Sequence, residues 1–325
     1  MATSMDMTTP LKPLVLIAGP TASGKSALAL HLAERSDGVI INADALQLYA
    51  DLRVLSARPS PEEEARAPHR LYGVLDGNDI SSAAWWAEAA RREIEAAWAA
   101  ARLPIVIGGT GLYLRTLMDG IVAVPDIPEA VRADVRTRMA ALGPEALHAE
   151  LARLDPACSA RLMPRDRQRI SRALEVVLAT GRPLSDWQAE PQGGLAGKPG
   201  LGPVGRIILL PARDWLYARC DRRFAQMIEA GAADEVAALI ARNLPADRPV
   251  MKAVGVRELA AWQAGQLSKD AAIDAAARET RRYAKRQYTW LRNQFGDWAA
   301  VTLHDNDDQI REFIIKLQSM GLTLK

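Results

Sequence analysis

A chain of 325 residues, 49% hydrophobic and 25% charged, can fill two domain cores, or one large α/β core with an insertion. Its formal net charge of +2 excludes a uniformly basic nucleic-acid binder, so any such surface must be a local patch. Two cysteines, Cys158 and Cys220, give no disulfide framework and no metal-ligand spacing, which predicts a reducing, cytoplasmic setting.

Residues 1–13 (MATSMDMTTPLKP) read as a loose tail without the charged start and apolar core of a signal peptide. No stretch reaches the roughly eighteen unbroken apolar residues of a membrane span. The apolar run Leu14–Ala18 then leads into Gly19-Pro20-Thr21-Ala22-Ser23-Gly24-Lys25-Ser26, which opens a helical pattern over Ala27–Ala33. A G-x-x-x-x-G-K-[ST] run between a strand and a helix is a phosphate loop. Its glycines free the backbone to turn N–H groups inward, and the helix N-terminus adds partial positive charge. Lys25 then binds a phosphoryl oxygen as a point charge, and Ser26 ligates Mg²⁺.

Gly38–Asn42 is a second parallel strand, so Asp44 falls just past a strand's carboxyl end, where open α/β sheets place ligands. On position alone Asp44 is equally a cap for a helical turn through Tyr49. Residues 50–80 carry Pro59, Pro61 and Pro68 and read as a loop over that edge. A helix follows from Ala83 to Arg102, its tryptophans core-like. The strand at Pro104–Ile107 runs into Gly108-Gly109-Thr110-Gly111, where a nucleotide hydrolase often has an acid for Mg²⁺ and water. Glycines there weigh against an ATPase and predict a backbone-lined opening.

Residues 125–182 are helical throughout, with breaks at Pro128, Gly143-Pro144, Asp155-Pro156 and Pro164 and a stop at Gly181. Arginines outnumber acids in Arg165–Glu175, which favours contact with a phosphate backbone. A flexible loop is expected at 191–205, then a strand at Arg206–Leu210 and a helix bearing Arg213, Arg219, Arg222 and Arg223. The long helix over Ala271–Arg292 holds Arg278, Arg281, Arg282, Lys285, Arg286 and Arg292 interleaved with Tyr283, Tyr288 and Trp290, the local basic patch that the net charge conceals. A short strand and a closing helix end the chain from Val301. The fold expected is α/β: a P-loop-type parallel sheet flanked by helices (14–124 and 183–325), with an all-helical insertion domain at 125–182.

Six motifs in order resemble the bacterial tRNA dimethylallyltransferases (isopentenyl-diphosphate:tRNA transferases): GPTASGKS at 19–26, Asp44–Tyr49 against D-S-x-Q-x-Y, Pro68–Leu71, Gly108–Tyr113, Gln168–Glu175 and Lys285–Arg292. The resemblance implies transfer of a dimethylallyl group from dimethylallyl diphosphate to N6 of the adenosine 3′ to the anticodon, with diphosphate released. The loop 19–26 would then hold diphosphate, joined by Arg223 and Mg²⁺, with Thr21 bonding the leaving group. Asp44 falls at the family's general base. Ala45, Leu46, Gln47 and Thr110 would line the path of the extruded base, and Gln168, Arg169, Ile170, Ser171, Arg172, Arg281, Lys285 and Arg286 would contact the tRNA anticodon stem-loop. A cytoplasmic monomer is implied. Ala45, Leu55 and Val256 depart from the family's usual serine, glycine and tyrosine. Two alternatives share the loop: prenyl transfer to a free adenine nucleotide, and an ATP-binding phosphate-loop kinase or ATPase.

Overall fold

The computed structural model describes residues 12–122, 124–190 and 192–322. Two compact units appear, one running to Leu117 and resuming at Gly197, the other spanning Met118–Ala196.

The larger unit is built on a six-stranded sheet of β1 (Lys12–Ala18), β2 (Gly38–Asn42), β3 (His69–Arg70), β4 (Leu103–Gly108), β5 (Leu201–Leu209) and β6 (Ala299–Val301). The strands are parallel, in the order β3–β2–β4–β1–β5–β6. Covered on both faces, central strands need continuous apolar runs rather than alternation, which is why Leu14–Ala18 and Val39–Ile41 read so plainly. Between the strands run α1 (Lys25–Ser36), α2 (Pro61–Arg66), α3 (Ala83–Ala99) and α4 (Gly111–Asp119). Because every strand points the same way, the segments after β1, β2 and β4 emerge at one edge. Gly108 lets two of them close in: a Cβ there would lie 2.1 Å from the Ala43 carbonyl oxygen.

The smaller unit is helical, with α5 (Glu129–Leu154, bent at Gly143), α6 (Pro156–Ser159), α7 (Arg167–Thr180) and α8 (Leu184–Gln188). Its own core joins Val135, Leu147, Leu151, Ile170 and Leu174. Gly181 closes α7 in the left-handed conformation, φ 69°.

The chain returns to the sheet through β5 and continues in α9 (Arg213–Glu229), α10 (Ala232–Ala241), α11 (Val256–Gln263), α12 (Lys269–Gln294) and α13 (Asn306–Ser319). Phe313 and Leu317 of α13 pack with Leu28 and Leu32 of α1 over Val15, Ile17 and Ile207.

Four expectations change. The 1–13 tail is cut short, because Lys12 and Pro13 already belong to β1; residues 1–11 lie outside the described residues. The 50–80 loop contains α2 and β3, the helix started by a Ser60/Glu63 capping box with Pro61 behind it. The 191–205 loop ends early, since β5 begins at Leu201. Pairing with β1 overrides the glycine- and proline-rich composition, a register shift between Lys12 and Leu14 absorbs the extra length, and β6 pairs only from Ile207, so Pro203 costs no ladder bond on that side. Last, the glycines after β4 make no opening. A Cβ on Gly109 or Gly111 would lie 2.2 Å from Gln287 Nε2 or 1.8 Å from Trp290, so they admit close contact instead.

Candidate active site

Gly24, at φ 97°, turns β1's loop into α1. The loop is held together by its own chemistry. Lys25 Nζ donates to the Pro20 carbonyl at 2.8 Å, and Thr21 N–H donates to Gln287 Oε1 at 2.8 Å. The Thr21 hydroxyl accepts from Arg223 Nη2. Burial, aided by Arg223, lowers the Lys25 pKa to about 8, with Asp44 pulling the other way. Among the described residues Arg223 Nε has no hydrogen-bond partner, which leaves a guanidinium edge for an anion. Ser23 is fully buried, its hydroxyl above Gly19, while Ser26 is exposed in the first turn of α1.

Asp44 is placed by Asn42, which is wholly buried at the end of β2. Asn42 Oδ1 accepts the Asp44 N–H, and Asn42 Nδ2 donates to the Asp44 carbonyl. The carboxylate in turn accepts the N–H of Leu46, the first residue of the short 3₁₀ turn Leu46–Leu48, at 3.1 Å, while Ala45 occupies the cap position itself. Asp44 also lines a cavity. Burial raises its pKa, opposed by the Lys25 charge.

The residues that line that cavity include the polar Thr21, Asp44 and Arg223 and the apolar Leu46, Leu55, Phe224 and Met227. A cavity lined by a guanidinium, a carboxylate and hydrocarbon side chains suits a short apolar chain ending in an anion. Gln47 and Thr110 are partly committed: Gln47 Nε2 donates to the Ser56 and Ala57 carbonyls at 2.9 and 2.8 Å, and the Thr110 hydroxyl accepts the Ala45 N–H at 3.1 Å.

The IPP transferase family model matches residues 47–294. A tRNA dimethylallyltransferase of Azorhizobium caulinodans is 55% identical over 92% of this chain and 96% of its own. One from Rhodospirillum rubrum is 54% identical over 87% of this chain and 86% of its own. The chain belongs to the IPP transferase family. Solved relatives agree on the fold. A tRNA isopentenylpyrophosphate transferase of Bacillus halodurans aligns at TM-score 0.66 and 33% identity, covering 95% of this chain and 98% of that one. A eukaryotic dimethylallyltransferase acting on tRNA aligns at TM-score 0.80 and 25% identity, over 97% and 81%.

In this IPP transferase chain the residues expected at the diphosphate and the general base share one unit. Of the basic residues on α12, Lys285 and Arg286 are exposed, whereas Arg281 is engaged by Asp221 of α9. In the helical unit Gln168, Arg169 and Arg172 are exposed and Ser171 is half-buried. Ile170 is fully buried in that unit's core, so its side chain offers no surface to RNA, a correction to the expected contact. Sequence reading missed Asn42, Gln287 and Glu235. Glu235 on α10 accepts the N–H groups of Arg53, Val54 and Leu55 and so holds the segment that brings Leu55 to the cavity.

Proposed function

We propose that the protein transfers the dimethylallyl group of dimethylallyl diphosphate to N6 of the adenosine 3′ to the anticodon in tRNA, releasing diphosphate, and acts as a cytoplasmic monomer. The observation that carries this reading is one cavity whose lining brings Thr21, Arg223 and Asp44 together with apolar side chains.

The C1–O bond of the donor breaks and an N6–C1 bond forms. Charge gathers on the departing diphosphate, and the Lys25 ammonium, the Arg223 guanidinium and the loop N–H groups neutralise it. Leu46, Phe224 and Met227 exclude water from the allylic carbon, which would otherwise capture it. An adenine amino group becomes acidic once the new bond places charge on nitrogen, so a carboxylate within hydrogen-bond reach can take the proton. Asp44 takes it. The adenine leaves the anticodon-loop stack to reach this site, as bases do in other enzymes that act on them. Gln168, Arg169, Arg172, Lys285 and Arg286 contact the RNA.

Among the described residues no three His, Cys, Asp or Glu side chains gather to hold a metal. The exposed Ser26 hydroxyl fits Mg²⁺ shared with substrate phosphates and water, the mode that ion prefers. Bound there, Mg²⁺ neutralises part of the leaving-group charge.

Mass analysis of adenosines tests the reading, using tRNA incubated with the protein, dimethylallyl diphosphate and Mg²⁺. An N6-dimethylallyl adenosine beside the anticodon supports it. Modification of free adenine nucleotides alone, or ATP turnover without the prenyl donor, overturns it.

A further inference from the structure

Gln287 lies on the inner face of α12, in the buried series Ala277, Thr280, Ala284, Gln287 and Leu291. Both ends of its carboxamide are used. Oε1 accepts the Thr21 N–H at 2.8 Å, and Nε2 donates to the Gly109 carbonyl at 3.1 Å. One side chain thereby joins the phosphate loop to the loop after β4. No other neutral side chain of this length offers a donor and an acceptor on one rigid plane. Thr21 is gripped from two sides, its peptide by Gln287 and its hydroxyl by Arg223. Gly109 is what admits the carboxamide, since a Cβ there would lie 2.2 Å from Gln287 Nε2.

We propose that Gln287 is a positioning residue for the diphosphate site: it fixes the Thr21 peptide and, through the Thr21 hydroxyl, aims the Arg223 guanidinium. The outer face of the same helix carries the exposed cations Lys285 and Arg286, so one rigid helix ties a basic surface to the donor loop. Gln287 touches neither substrate. Its effect passes through Thr21 and Arg223, and the assignment rests on the donor reading of the loop given above.

The test is calorimetric binding of inorganic diphosphate with Mg²⁺ to the full-length protein, alongside RNA affinity and steady-state kinetics. Gln287→Met, close in size but without the amide, weakens diphosphate binding about tenfold and raises the donor KM to match. RNA affinity stays within about twofold, because the outer face of α12 is untouched. Gly109→Ala leaves every hydrogen-bonding group in place but displaces the carboxamide, and gives the same donor-side defect. Gln287→Met and Thr21→Ala combine less than additively, since both act on Arg223. Unchanged diphosphate affinity in both single variants overturns the proposal, as does an equal loss of diphosphate and RNA binding with a large fall in melting temperature. If the wild-type protein binds no diphosphate, the donor reading itself fails and this assignment with it.

Discussion

Asn42 Oδ1 accepts the Asp44 N–H at 2.8 Å, while Asn42 Nδ2 donates to the Asp44 carbonyl at 3.0 Å and to the Leu71 carbonyl at 2.9 Å. One buried carboxamide at the end of β2 thus sets the backbone on which the proposed base is mounted. Asn42→Leu keeps the bulk but strands those three groups. The expected cost is about 3 kcal/mol of stability, read by denaturant unfolding, with a lower kcat at temperatures where the variant is folded. An Asn42→Leu protein of wild-type kcat would show that Asp44 needs no such support.

The proposed base itself is tested by Asp44→Ala. With no acceptor for the N6 proton, kcat falls about 10²–10⁴-fold, the usual worth of a general base. RNA affinity changes little, and single-turnover kinetics at saturating RNA separate the two effects. Unimpaired turnover removes Asp44 from the mechanism.

The Asp44 carboxylate that lines the cavity and the Lys25 ammonium of the phosphate loop shape the pH profile. Burial raises the Asp44 pKa, so the carboxylate is protonated, and unable to take a proton, at pH values where an exposed aspartate is still ionised. The acid limb of kcat/KM is therefore displaced upward. Burial lowers the Lys25 pKa to about 8, so the free enzyme loses this positive charge, and with it donor affinity, as pH rises through that value. The profile is a bell. Bound diphosphate favours the ammonium form, so the basic limb lies higher in kcat than in kcat/KM. Equal basic limbs in the two profiles would exclude Lys25 as a diphosphate contact.

Local patterns were enough to read the phosphate loop, the strand before Asp44 and the stop at Gly181, because each depends on neighbours in sequence. The supports were not legible in that way. Gln287 lies 266 residues from Thr21, and Gln309, which donates to the Ser23 carbonyl, lies 286 residues from it. Their partners are backbone groups, which every residue carries, so no residue type marks the meeting point. In the sequence, glycines 108, 109 and 111 pointed to an opening, and only the fold shows that a backbone, a carboxamide and an indole fill that space. The capping box before α2 was legible as Ser60 followed by Glu63, and the surrounding prolines hid it.

Glu235 supplies the last expectation. Its Oε1 accepts the N–H groups of Arg53 and Val54 at 2.9 and 2.8 Å, and its Oε2 that of Leu55 at 3.0 Å. The same segment continues to Ser56 and Ala57, whose carbonyls accept from Gln47. A single carboxylate on α10 therefore holds the strip between the cavity's Leu55 and the Gln47 amide. Glu235→Ala frees three N–H groups into a partly exposed site where water replaces some of what is lost, so stability falls by about 1–2 kcal/mol. Glu235→Gln can keep the two bonds at Oε1 but turns an N–H donor toward Leu55 N–H, which places it between wild type and alanine. The donor KM rises in the same order, and proteolytic cleavage within 53–59 quickens as the strip loosens. Since Glu235 lies outside the cavity, kcat at saturating donor changes less than KM. A variant with unaltered protease resistance and donor KM would show that the strip is held by its other contacts alone.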